Sequence, residues 1–128
     1  MEKKKIFIVD DDTFLSGMYA MKFNKSGFEA RVANNGNEAI EILKSGYKPD
    51  VLLMDLVMPI MDGFFMYETI KKENLAPDAL AVMLTNQGTS ADISRAKELG
   101  VHGFIVKATT IPSEVVTEVS SLLDKKEK

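Results

Sequence analysis

Val51-Leu52-Leu53-Met54-Asp55 is an unbroken apolar run that stops on a carboxylate, and the chain then passes through Leu56-Val57-Met58-Pro59-Ile60-Met61 to Asp62-Gly63. A short apolar run without polar alternation is expected of a parallel strand covered on both faces. Three further runs have the same character: Ile6-Phe7-Ile8-Val9, Leu80-Ala81-Val82-Met83-Leu84 and Phe104-Ile105-Val106. Phe28 to Ala33 alternates instead, with Glu29 and Arg31 breaking the pattern, and reads as an edge strand wet on one side.

Helical patterns fill the intervals. Phe14, Met18 and Met21 recur at helical spacing, with Gly27 placed to close the segment. Asn37 to Ser45 carries Ile40 and Leu43 and ends at Gly46. Phe64 to Lys72 offers an apolar face through Phe65 and Ile70, and Ser90 to Leu99 offers Ile93 and Ala96 before Gly100. A last helix opens near Pro112, which suits a first helical turn, and is expected to bury Val115, Val119 and Leu122. Strand followed by helix, five times over, predicts an α/β fold. It is a doubly wound five-stranded parallel sheet with helices on both faces and right-handed crossovers. Neither an internal repeat nor a linker interrupts this order, so one domain is expected across residues 1–128.

The bulk composition agrees with a globular chain: 128 residues, 45% apolar and 27% charged. With no cysteine, neither a disulfide framework nor a thiolate metal site can exist, which fits a reducing cytoplasm. Net charge is −3, from 16 basic and 19 acidic residues, and argues against direct nucleic-acid binding. Met1 to Lys5 and the apolar Ile6 to Val9 resemble a signal peptide only until Asp10-Asp11-Asp12 interrupts them. No run approaches membrane-spanning length, so membrane insertion is not expected. Lys125-Lys126-Glu127-Lys128 reads as a solvated helix end.

In doubly wound sheets, ligands bind beyond the carboxyl ends of the strands. The residues that follow the apolar runs are therefore the informative ones: Asp10, Asp11 and Asp12, then Asp55, Thr85 and Lys107. Asp12, ahead of Thr13 and Phe14, suits a helix N-cap. The remaining carboxylates would repel one another unless a hard divalent cation relieved them. Magnesium accepts two or three carboxylates while keeping waters that a phosphate can displace. Lys107 supplies a compact positive charge for Asp55 or a phosphoryl oxygen, and Thr85 a hydroxyl donor. Asp55, central on the rim, is the candidate nucleophile of an in-line phosphoryl transfer. Pro59 and Gly63 read as turn chemistry, proline fixing one dihedral and glycine relaxing another. His102, in Gly100-Val101-His102-Gly103, reads as an ordinary exposed turn residue, and the methionines as core.

With these residues in place the chain resembles the receiver domains of two-component signalling, the chemotaxis regulators among them. The likeness rests on Ile8-Val9-Asp10-Asp11, Leu53 to Gly63, Met83-Leu84-Thr85 and Phe104-Ile105-Val106-Lys107. It implies a flavodoxin-like sheet of strand order 2-1-3-4-5. It implies magnesium held by Asp10, Asp11, Asp55 and the backbone carbonyl of Val57. It also implies that Asp55 takes a phosphoryl group from a sensor histidine kinase or a histidine phosphotransfer protein. Thr85 would then bond that group, and Phe104 would turn inward behind it. A downstream target or output domain would sense the surface of the fourth helix, fifth strand and fifth helix; a phosphorylation-dependent homodimer is open. Such a domain catalyses its own phosphorylation and dephosphorylation and is not otherwise an enzyme.

Two departures from the family stand out. Ala108 follows Lys107 where the family has a proline joined by a cis bond, and a non-proline cis bond costs about 3 kcal/mol. Asn86 follows Thr85 where a small residue is usual. Val57 and Gln87 occupy positions that tune dephosphorylation in the family. A phosphatase of the haloacid-dehalogenase type is disfavoured, because Asp10-Asp11-Asp12-Thr13-Phe14 puts Phe14 where threonine or valine belongs. No glycine-rich nucleotide loop occurs. A degenerate receiver, binding protein partners without phosphorylation, is the alternative that the two departures keep open.

Overall fold

The apolar runs pair into one parallel sheet. In the computed structural model, which describes residues 3–86 and 88–127, the strands are β1 (Lys5–Val9), β2 (Glu29–Ala33), β3 (Val51–Asp55), β4 (Leu80–Thr85) and β5 (Gly103–Val106). Their order is β2-β1-β3-β4-β5. The expected edge strand lies at the edge, and β3 sits at the centre with Ile6 opposite Val51 and Val51 opposite Leu80. The helices are α1 (Thr13–Lys25), α2 (Gly36–Lys44), α3 (Gly63–Lys72), α4 (Ser90–Glu98) and α5 (Pro112–Glu127). Readings that fall on Met1, Glu2, Gln87 and Lys128 lie outside the described residues.

The absence of polar alternation is explained by two cores, one on each face of the sheet. Phe7, Val9, Leu52, Met54, Ala81 and Met83 point toward α2, α3 and α4. Their neighbours Ile6, Ile8, Val51, Leu53, Leu80 and Val82 point toward α1 and α5. Successive strand side chains face opposite ways, so only a strand apolar at every position fills both layers. Each fully buried Leu, Ile, Phe or Met side chain contributes about 1.5–3 kcal/mol.

Helix ends follow their local chemistry. Asp12, Asn35, Asp62 and Thr89 cap α1 to α4, each side chain accepting a backbone N–H of the first turn. Gly27, Gly46 and Gly100, the expected closing glycines, all have positive φ.

Three helix faces differ from the sequence expectation. In α1 the buried residues are Ser16, Tyr19 and Phe23, whereas Phe14 is 81% exposed and Met21 also faces solvent. Apolar residues occupy both sides of this helix, so spacing alone does not select the buried one. Phe23 wins because its ring meets Phe28 edge-on at 5.1 Å, just before β2. In α3, Phe64, Met66, Tyr67 and Ile70 are buried and Phe65 is exposed. In α5, Val115, Val116, Val119 and Leu123 are buried, with Leu122 only half-buried at the margin.

Candidate functional site

Asp10 leaves β1 into a backbone that is held from the side of β2. Its N–H donates to the Ala33 carbonyl at 3.1 Å, and its own carbonyl accepts from Asn34 Nδ2 at 2.9 Å. Asn34 also donates to Ser16 Oγ at 3.2 Å, tying α1 to the same point. The Asp10 carboxylate accepts the Asp12 N–H at 3.0 Å, and Asp12 in turn caps α1 through Leu15 N–H at 2.9 Å. Asp10 is thereby turned inward at 2% exposure, while Asp11 faces out.

Asp55 and Thr85 are the last residues of β3 and β4, at 7% and 1% exposure. Lys107 follows β5 directly, and its buried ammonium donates to Asp10 Oδ2 at 2.7 Å and lies 3.5 Å from Asp55 Oδ2. Lys107 thus pairs first with Asp10, a preference that strand-end position alone does not reveal. Carboxylate oxygens of Asp10, Asp11 and Asp55 come within 4.8 Å of one another. Three hard oxygen donors at this spacing fit a divalent cation. The five strand-end groups line a cleft of about 500 Å³, with Val57 and Asn86 also on its wall.

The electrostatics follow from burial. The Asp55 carboxyl is pushed up to about 6, foremost by loss of solvent and further by Asp10 and Asp11, while Lys107 and the Val57 amide pull it down. Burial works against the Lys107 charge, but the hydrogen bond to Asp10 and the charges of Asp55 and Asp10 outweigh it. Its ammonium is held above its usual range.

The loop after Asp55 closes by backbone contact. Gly63 N–H donates to the Leu56 carbonyl at 2.8 Å, and a Cβ on Gly63 would collide with the Asp55 carbonyl oxygen. Gly63 is required for this close approach rather than for a relaxed dihedral. The left-handed residue is Ile60, with φ 71°, a conformation uncommon for a β-branched side chain; it is 96% exposed.

Phe104 is half-buried against the core beneath α2, α3 and α4. The loop leading to α4 runs close over its ring, since a Cβ on Gly88 would stand 3.1 Å from Phe104 Cε1. No described residue has a cis peptide bond, and Lys107–Thr109 instead form a short 3-10 turn, so the chain takes another path past Ala108. His102 does more than an ordinary turn residue. Its N–H donates to Ala81 O at 2.8 Å and its Nδ1 accepts the Ala81 N–H at 3.0 Å, extending the β4–β5 ladder by one step.

Two residues at the site are missed by the sequence reading. Asn34 holds Asp10 from the β2–α2 connection, and Asp92 of α4 lines the cleft. A carboxylate in the first turn of a helix carries no strand-end mark, so nothing in the order of apolar runs points to it.

A five-stranded parallel sheet with this acidic rim and one buried lysine defines a receiver-type domain. The chain belongs to the response regulator receiver domain family, whose model matches residues 6–119. It is 36% identical to the chemotaxis protein CheY of Thermotoga maritima over 93% of this chain and 97% of that protein. It is also 30% identical to the probable transcriptional regulator ycf27 of Porphyra purpurea over 99% of this chain. The chain spans about half the length of the ycf27 regulators it matches. A CheY-like receiver structure from Methanospirillum hungatei superimposes with a TM-score of 0.87 at 24% identity, covering 98% of each chain; that likeness speaks to the fold. Membership of the family implies phosphoacceptor signalling in a two-component system. Among the described residues, no helix is long and apolar enough to cross a membrane.

Proposed function

We propose that the chain is a phosphoacceptor switch in which Asp55 takes a phosphoryl group from the phosphohistidine of a sensor histidine kinase or phosphotransfer protein. The observation that carries this reading is the placement of Asp55. It lies on the central strand beside two other carboxylates, with the Lys107 ammonium 3.5 Å away. An Asp55 oxygen attacks phosphorus in line, the P–N bond breaks, and the histidine nitrogen leaves with its electron pair. A magnesium ion held by Asp10, Asp11, Asp55 and the Val57 carbonyl would neutralise these carboxylates and the charge on the transferring group.

The remaining work belongs to side chains of this protein. Lys107, already desolvated, offers its ammonium to a phosphoryl oxygen without reorganising solvent. Thr85 offers its hydroxyl to a second oxygen. Movement of the Thr85 connection would be felt at Phe104, because the two are linked through Gly88. The face of α4, β5 and α5 then differs between the two states, as a switch requires of its contacts. That face is where a target or output domain, or a second copy of the chain, would dock. The chemistry is self-catalysed and single-turnover, not that of a metabolic enzyme, and a cytoplasmic setting accords with the cysteine-free sequence.

Ala108 and Asn86 favour a second reading, a receiver that binds partners without being phosphorylated. Incubation with acetyl phosphate and magnesium, followed by intact-mass spectrometry, separates the two. A single phosphoryl adduct that requires magnesium and is lost in Asp55→Asn supports the switch. No adduct across a range of quench times, with beryllofluoride also failing to bind, establishes the second reading.

A further inference from the structure

Asp92 stands on the wall that α4 contributes to the phosphoryl cleft. It shares the cleft with Asp10, Asp55, Thr85 and Lys107, and it also borders an adjoining groove formed with Val57, Phe64 and Arg95. Its place is set by the helix cap, since Asp92 N–H donates to Thr89 Oγ1 at 3.1 Å. It is no member of the three-carboxylate group suited to a metal. Nor is its charge cancelled. Lys107 is committed to Asp10 and Asp55. Arg95, one turn further on, pairs with Glu68 at 3.3 Å and lies over the Phe64 ring at 4.4 Å. Among the described residues, no cation forms an ion pair with Asp92.

The first turn of a helix ordinarily favours anions through its free N–H groups and its dipole. A carboxylate in that turn, facing a cleft that is to receive phosphate, offsets the attraction. Coulomb energy scales with the product of the charges, so the penalty on a dianion is about twice that on a monoanion.

We propose that Asp92 is a charge filter on the phosphoryl cleft: its carboxylate discriminates against phosphoryl donors of high negative charge in favour of donors that carry less. The inference rests on Asp55 as the acceptor, and it assigns Asp92 a specificity role without contact to the reacting atoms. Acetyl phosphate, a dianion near neutral pH, and phosphoramidate, which bears a single net negative charge, are the two probes. In both, an Asp55 oxygen forms the new P–O bond; acetate leaves with the electron pair of the P–O bond in one, and ammonia with that of the P–N bond in the other.

The experiment compares initial rates of adduct formation, with magnesium, for the wild type, Asp92→Asn and Asp92→Glu at low and high ionic strength. Asp92→Asn is expected to speed acetyl phosphate by about three- to tenfold, and phosphoramidate by clearly less. The gain should shrink toward unity near 1 M salt, where the screening length is about 3 Å. Asp92→Glu, which restores the charge, should restore most of the discrimination. Thermal melts of both variants establish that they fold. An equal gain for the two donors, a gain insensitive to salt, or no gain in a folded variant overturns the filter and leaves Asp55 as acceptor. Absence of any adduct on the wild type with either donor overturns both.

Discussion

Asp55 is a carboxyl held where its charge is disfavoured, and that sets a pH dependence for the fold. It keeps its proton to about pH 6 in the folded chain against 3.8 as the ordinary value. Between those pH values the folded state binds more protons than the unfolded one, so stability falls as pH rises through the window. Above it, the ionised folded carboxyl is penalised by up to about 3 kcal/mol. Asp55→Asn removes the charge, and urea denaturation at pH 7 is expected to find it about 1–3 kcal/mol more stable than the wild type. The gap should close below about pH 4, where both chains are neutral at this position; an equal gap at pH 3.5 and pH 7 contradicts the assignment. At this scale the sequence is informative where a chemical type changes abruptly. Asp55 and Thr85 end apolar strands, Asp10 and Lys107 directly follow them, and all four so mark themselves. The partner chosen by Lys107 depends on how far Asp10 is turned inward by Asn34 and Asp12, and the left-handed φ of Ile60 on how the loop must turn to bring Gly63 under Asp55. Neither is encoded in the local pattern.

At the scale of elements, strands were more legible than helices because a strand covered on both faces has no face to choose. Every residue of β3 and β4 is buried, and an unbroken apolar run admits little else. A helix must commit one side, and α1 carries apolar residues on both. Phe14 and Met21 have the right spacing yet face solvent, while Ser16 enters the core because Asn34 can bond its hydroxyl. Truncating the two aromatics should expose this difference. Phe23→Ala empties a fully buried site against Phe28 and is expected to cost about 3–5 kcal/mol. Phe14→Ala should change stability by no more than about 0.5 kcal/mol. Guanidinium denaturation of the two variants checks the pair, and a larger loss for Phe14→Ala than for Phe23→Ala would mean that α1 packs by its other side.

For the whole molecule, the sheet brings groups nearly one hundred residues apart in sequence onto one rim, and that rim carries an electrostatic penalty which Lys107 offsets only in part. Metal binding and proton binding at the rim are therefore opposed: a cation at Asp10, Asp11 and Asp55 needs Asp55 ionised, and the proton holds on to about pH 6. Magnesium at roughly a hundredfold its Kd should stabilise the fold by about 2.7 kcal/mol at pH 7.5, a rise in Tm of about 10 °C for a domain of this size. At pH 5 about half of that rise should disappear, because the metal must first displace the proton and its apparent Kd is weakened about tenfold. Asp11→Asn distinguishes this from a general salt effect. Asp11 is exposed and makes no ion pair among the described residues, so the metal-free variant should melt close to the wild type. It should also lose most of the magnesium-induced rise. A rise that is the same at both pH values, or that survives in Asp11→Asn, would show magnesium acting away from the rim and would remove the basis for assigning it to these three carboxylates.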